Sequence, residues 1–480
     1  MHTTILTLDP QDRRPLNPIW SFGANTCHAP LWFRSDLQQH LRRSQRELGF
    51  RYVRCHGILN DDMDVVRSDG SFHFERVIAA IEALRACGLK PFIELSSMPG
   101  AFAAGETHLT SYKFRSDPPK DWTRWYALIR AMVEALAAHF GREELRTWYF
   151  EVWNEPDINF WTGTQADYFR LYDLAARAIK EVDAGFRVGG PATSKTAWVE
   201  PFLAHILKPS ADDPRSGPRC DFVSTHAYPS DLAYLDADRG AVTLLNSNIM
   251  LELFTEVRRQ VDAALGAGFP VICGEWNSSA GPLVENHDES NNAAFVAKTM
   301  TELSDVCQGS LYWNLSDIYE ESGFHFEPFH GGYGLLTVND VPKAPFHAFA
   351  FLREHDGGAR IGCQMDGAPT GVGALATVEG GVTRVLLYHY VEPDGPKPRP
   401  VRVCVEGLPG GMVSARGVSP GGGSAFETWV ELGRPPYVNR EILDRLTKAS
   451  QPRRARAVAD GKTWVLHPGS ILQIVAGGSS

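Results

Sequence analysis

The sequence predicts a (β/α)8 TIM barrel carrying a C-terminal β-sandwich. Three observations lead there. Apolar strand patterns and amphipathic helix patterns alternate eight times over about 340 residues, as a closed parallel barrel requires. The strand segments are apolar throughout, as strands covered by helices on both faces must be. Beyond residue 356 the long helical patterns give way to Gly, Pro and short alternating runs, the texture of a sandwich. A doubly wound open sheet would want a G-x-G-x-x-G turn after an early strand, and the chain has none.

Taken in order, residues 2–8 alternate as a strand until Pro10 and Pro15 break the pattern. Barrel strands are expected at 19–24, 52–57, 90–96, 148–155, 187–191, 221–228, 270–276 and 309–316. Helices are expected at 36–47, 74–87, 122–140, 165–183, 195–207, 246–267, 289–306 and 343–354. In the second helix Phe74, Val77, Ile78, Ile81 and Leu84 share one face, and Gly88 follows as a stop. Thr164, with Asp167 three residues on, forms a capping box for the fourth. These elements assign residues 15–355 to the barrel and 356–480 to the sandwich. Sandwich strands are expected at 382–390, 401–405 and 470–475, and a helix at 439–448. The N-terminal stretch 1–14 is a candidate to join that sheet. Gly421–Ser424 reads as a loop, and Arg453, Arg454 and Arg456 as a solvated turn.

Apolar content of 43% and charged content of 22% are those of a globular protein. A formal net charge of −10 argues against nucleic acid or an anionic membrane surface as partner. No stretch reaches the ~20 apolar residues of a membrane span. The first residues have neither the basic nor the apolar region of a signal peptide, so a cytoplasmic location is expected. Eight cysteines form no Cys-x-x-Cys pair and several sit in apolar runs, which reads as buried, reduced thiols. The sequence assigns no oligomeric state.

The chemistry lies at two strand ends. Trp148-Tyr-Phe-Glu-Val-Trp-Asn-Glu-Pro-Asp157 is an apolar strand ending in Asn154 and Glu155, stopped by Pro156. Val271-Ile-Cys-Gly-Glu-Trp-Asn-Ser278 repeats the pattern with Glu275. In the barrel count these acids end strands four and seven and point to the same face. Two carboxyls across a pocket suit glycosidic bond cleavage: one protonates the leaving oxygen, and the other attacks or activates water.

Asn154-Glu155-Pro156 after strand four and Glu275 after strand seven resemble the retaining (β/α)8 glycoside hydrolases. Within that clan, Trp153-Asn-Glu-Pro-Asp157 followed by Phe160-Trp161, together with Thr225-His-Ala-Tyr-Pro229 and Gly274-Glu-Trp-Asn-Ser278, is similar to glycoside hydrolase family 39. That family contains β-xylosidases and α-L-iduronidases, and the resemblance covers most of the chain. It implies Glu155 as general acid/base, Glu275 as nucleophile, Asn154 on the sugar 2-hydroxyl and Phe160 as an aromatic wall. Retention requires carboxyl groups roughly 5–5.5 Å apart, against ~6.5–9.5 Å for inversion.

Other candidates come from strand register. His226 and Tyr228 share one side of strand six, and Tyr228 is placed to donate to Glu275. His226 is a candidate ligand of substrate, its alternative being a buried histidine bonded to backbone. His56, at the tip of strand two, is a candidate for a sugar hydroxyl. Trp313 in Leu311-Tyr-Trp-Asn314 is a candidate floor. The loop 317–330 mixes acids, histidines and aromatics, with Glu320 or Glu321 available to hydroxyls. His325, Glu327 and His330 match no standard metal spacing, so neither metal nor cofactor is expected.

The expected activity is that of a retaining, exo-acting β-xylosidase releasing xylose from short β-1,4-xylo-oligosaccharides, in a pocket built by loops 99–121 and 317–334. Other small β-glycosides stay open as substrates. An α-L-iduronidase-like activity would need cations for the substrate carboxylate, and Lys113 and Arg115 are the nearest in 99–121. A non-catalytic carbohydrate-binding barrel would have shed an acid, and both are present.

Overall fold

The computed structural model describes residues 3–215, 219–236, 239–393, 395–396, 398–458 and 460–477. Eight parallel strands close into a barrel: Gly23–His28, Tyr52–His56, Lys90–Glu94, Tyr149–Glu151, Arg187–Thr193, Phe222–Ala227, Val271–Trp276 and Gly309–Tyr312. Closure is between strands eight and one, with Leu311 opposite Gly23. Gly23 is needed on the other side of strand one, since a Cβ there would lie 2.0 Å from the carbonyl oxygen of Tyr52 in strand two. The N-terminal mouth is plugged by Phe22, Phe92, Phe222, Ile272 and Leu311, with Tyr52 and Tyr149 packed against them. Polar side chains of the strands are thereby left to the C-terminal end.

The eight helices fall near their expected places, from Ser35–Leu48 to Ala344–Arg353. Gln165–Val182 begins with the predicted box, Thr164 and Asp167 each bonding the other's backbone N–H. Strand eight stops at Tyr312 rather than 316, and three further boundaries differ. Pro18 starts a 3-10 turn over Ile19–Ser21, so strand one begins at Gly23 rather than 19. The fifth helix starts at Val199, after a tight turn at Ser194–Thr196. Strand four leaves the ladder at Glu151, well before 155.

The second sheet has nine strands in the order Arg453–Arg454, Val413–Val418, Ser470–Gly477, Val382–His389, Val372–Glu379, Ala359–Asp366, Thr3–Arg14, Val401–Glu406 and Thr463–Leu466. Thr3–Arg14 lies inside it, antiparallel to Ala359–Asp366 and parallel to Val401–Glu406. Leu6 and Leu8 face a core with Val385, Val403, Trp464 and Ile474. Residues 1 and 2 lie outside the described residues. Arg453 and Arg454 are exposed as expected, but they form an edge strand on Arg416 and Gly417 rather than a turn. Helix Arg440–Ala449 is capped by the Asn439 side chain. All eight cysteines are free thiols, six of them buried.

One buried charge cluster fixes the loop 317–334 to the barrel. Lys343 Nζ lies 2.6 Å from both Asp288 Oδ1 and Asp317 Oδ2 and donates to the Gly332 carbonyl at 2.9 Å. The two carboxylates also accept from the amides of Gly331 and Gly334, each at 2.7 Å. Lys343→Met strands two carboxylates in the interior and is expected to cost about 3–5 kcal/mol. The measurement is the denaturant midpoint of unfolding; an unchanged midpoint would show that the aspartates are not both charged.

Candidate active site

The site is organised on Arg54, in the middle of strand two and fully buried. Its Nε donates to Glu151 Oε2 at 2.6 Å, and Nη2 reaches Glu94 Oε2 and Asn154 Oδ1, both at 2.8 Å. Nη1 donates to Asn25 Oδ1 at 3.1 Å and to Glu275 Oε2 at 3.2 Å. One guanidinium thus faces three carboxylates from strands three, four and seven. A buried cation at this density of partners is held only because every donor is used.

Glu155 reaches the face by a bend instead of a ladder. Val152 N still bonds the Gly189 carbonyl at 3.1 Å, but Trp153 and Glu155 take φ of 74° and 41°. For residues with a Cβ this left-handed backbone is unfavourable and must be imposed by its surroundings. Here Glu155 N donates to the Ala192 carbonyl at 2.8 Å, and Trp153 Nε1 to the Phe160 carbonyl at 2.9 Å. The result turns the Glu155 carboxyl toward strand six.

There His226 Nδ1 lies 3.0 Å from Glu155 Oε1 and 3.7 Å from Glu275 Oε2. One carboxylate oxygen of each acid and a ring nitrogen of His226 all fall within 4.8 Å of one another. Among the described residues this is the one such grouping of metal-capable side chains, and His325, Glu327 and His330 do not form another. His226 Nδ1 bonds an acid side chain, Glu155, and not backbone. Burial lowers its pKa to about 4, so the ring is neutral near pH 7.

The two acids are unequal. Glu155 is 8% exposed; burial first, and the charge of Asp157 next, push its pKa up to about 8. Glu275 is 6% exposed and burial raises it too. But Glu275 accepts from the Tyr228 hydroxyl at 2.7 Å and from Arg54, whereas the partner of Glu155 is the neutral His226. When the pair holds one proton, the proton sits on Glu155. A protonated acid thus faces a charged carboxylate, the pairing that acid and nucleophile roles require.

The remaining candidates surround this pair. Asn154 Oδ1 accepts from Arg54, which leaves its amide nitrogen to donate. His56 lies 2.7 Å from Glu94 Oε2; burial opposes its charge, but Glu94 outweighs that and raises its pKa. The ring centres of Trp313 and Phe160 lie 4.8 Å and 6.3 Å from that of His56. Phe160 is half-buried and packs edge-on to Phe114. Glu321 is half-buried; Tyr319 donates to it at 2.5 Å, and its charge adds to the rise at Glu155.

Glycosyl hydrolases family 39 matches the chain over residues 4–463. The chain belongs to that family. It is 36% identical to a β-xylosidase of Caldicellulosiruptor saccharolyticus, over 92% of this chain and 90% of that one. It is 31% identical to a β-xylosidase of Geobacillus stearothermophilus, over 98% and 93%. Among solved structures, a monomeric β-xylosidase from Caulobacter crescentus superposes with a TM-score of 0.87 at 30% identity, covering 99% of this chain and all of that one. The family 39 chain is therefore a glycoside hydrolase on a barrel with a sandwich domain.

Sequence reasoning missed Arg54, Glu94, Glu151 and Asn25 in this family 39 site. A signal was present: Tyr52-Val-Arg-Cys-His56 and Phe92-Ile-Glu94 put charges inside apolar strands. A charge on a strand covered on both faces demands a partner of opposite sign. Which carboxylates pair with Arg54 is set by barrel closure, which no local pattern encodes.

Proposed function

We propose that this family 39 enzyme is a retaining, exo-acting β-xylosidase that removes xylose from the non-reducing end of short β-1,4-xylo-oligosaccharides. The observation that carries the reading is the close approach of Glu155 and Glu275, with oxygens within 4.8 Å. That spacing supports retention, since inverting enzymes hold their two carboxyls further apart to make room for a water. The choice of xylose is supported by the β-xylosidases at 36% and 31% identity. In this mechanism Glu275 attacks C1 while Glu155 gives its proton to the leaving oxygen. Glu155 then takes a proton from water, which attacks C1 and frees Glu275. Asn154 donates to the 2-hydroxyl, His56 and Glu321 bind outer hydroxyls, and Trp313 and Phe160 flank the ring.

Arg54 is consumed by three carboxylates, so it offers no free charge to a uronate. The test is hydrolysis of nitrophenyl β-xyloside, with proton NMR of the first-formed sugar. Nitrophenol release with β-xylose appearing first is expected. Inertness toward every pentoside sinks the substrate assignment, and α-xylose appearing first sinks retention.

Tyr228→Phe removes one of the two donors that hold Glu275 ionised. Hydrogen bonds to charged groups are worth about 1.5–3 kcal/mol, so kcat should fall by roughly 10–100-fold. A steady-state assay that shows no change in kcat would remove Tyr228 from the mechanism.

A further inference from the structure

The rim of the barrel is closed on one side. Glu155 leans toward His226 of strand six, so on the reading above the leaving oxygen, and the aglycone beyond it, lie over strands four to six. The opposite rim, from strand eight through strands one and two to three, carries a strap. Ser111 sits in the turn of a hairpin, His108–Leu109 paired with Phe114–Arg115, that follows strand three. It donates its amide to the Glu321 carbonyl at 2.9 Å and its hydroxyl to the Glu320 carbonyl.

A partition accompanies the strap. His28, at the tip of strand one, stacks on Tyr112 of the same hairpin with ring centres 4.2 Å apart and planes 16° from parallel. Its Nδ1 lies 2.6 Å from Glu320 Oε1 and its Nε2 3.2 Å from Asp62 Oδ2. His28 is 2% exposed and Tyr112 9%, so the stacked pair is buried from solvent. Phe114 of the hairpin packs on Phe160 and His56, the walls of the site. Tyr112 also lines a cleft of about 360 Å³, together with Asn60, Asp61, Asp62, Lys113 and Arg115. That volume falls in the roughly 300–1,000 Å³ range of small-molecule sites. Carboxylates, an amide, two cations and an aromatic ring offer the mixed acceptors and donors that a hydroxylated ring uses.

We propose that His28, Tyr112 and the Ser111 strap are the specificity-determining partition that limits the glycone side to one sugar, and that the cleft behind it is a latent site for a second pentosyl unit. This rests on the β-xylosidase reading.

The experiment uses nitrophenyl β-xylobioside with the full-length wild type, Tyr112→Ala and His28→Ala. The wild type should remove the terminal xylose first, so nitrophenol appears after a lag. With the partition opened, the aryl bond is cut directly. The bond from C1 to the phenol oxygen breaks, water adds hydroxyl to C1 and a proton to the phenolate, and intact xylobiose is released. The expected result is loss of the lag and appearance of xylobiose in at least one variant. A variant that still cleaves nitrophenyl β-xyloside yet keeps the lag and yields xylose alone overturns the proposal. So does loss of nitrophenyl β-xyloside hydrolysis in both variants, which would make the partition part of the xylose site. A wild type inert on both substrates overturns the parent reading, a result distinguishable from the other two.

Discussion

Glu275→Ala should lower kcat on nitrophenyl β-xyloside by at least ~10⁴-fold, about 5.5 kcal/mol of barrier, the scale on which removing a nucleophile is felt. The reason is local. With the carboxylate gone, the strand-seven side offers no nucleophile of its own, and a water entering there has no base beside it to activate it for attack on C1. Stability should change little, because Glu94 and Glu151 still neutralise Arg54. The vacated volume admits a small anion beside Arg54. Added azide should therefore restore turnover, attacking from the side of Glu275 and leaving α-xylosyl azide. Full activity in the variant, or β-xylosyl azide as product, would remove Glu275 from the nucleophile role.

Glu155→Gln should cost roughly 10²–10⁴-fold, the usual yield of a positioned acid/base, and the cost should depend on the leaving group. Xylobiose, whose leaving alkoxide needs a proton, should suffer in full. A nitrophenolate leaves unaided, so its release should show a burst followed by slow breakdown of the xylosyl-enzyme. The pH dependence follows from the raised Glu155 pKa of about 8. The acid is protonated below that value and loses its proton as pH rises through it. Wild-type kcat/KM should thus fall on the alkaline side near pH 8, and the variant should lack that limb. With Glu155→Ala, azide enters only after the xylosyl-enzyme has formed, so the product should be β-xylosyl azide. An alkaline limb that survives in Glu155→Gln would assign it to another group.

The barrel was readable because parallel strands buried on both faces leave unbroken apolar runs, as in Val271-Ile-Cys-Gly. Glu155 and Glu275 stood out because they end such runs. The bend at Trp153 and Glu155 was not readable, since left-handed backbone there is imposed by Ala192 and Phe160 and carries no glycine to announce it. The Arg54 network was hidden for a related reason: its partners Glu151 and Glu275 lie 97 and 221 residues away in sequence. In the second sheet, Val382–His389 and Ser470–Gly477 were found, being continuous and apolar. Val413–Val418 and Ala359–Asp366, half-exposed and polar along much of their length, were not. His28 drew no notice because a lone histidine after a strand says nothing until its two carboxylates are brought to it.

The place of Thr3–Arg14 within the second sheet has a consequence for synthesis. Both of its neighbours, Ala359–Asp366 and Val401–Glu406, are translated only after the whole barrel. At roughly 5–20 residues per second the interval is roughly 20–80 s, during which the strand has two bare edges and an apolar face of Leu6 and Leu8. This arrangement leaves both edges and the apolar face of that strand to be covered only once Ala359–Asp366 and Val401–Glu406 have been made.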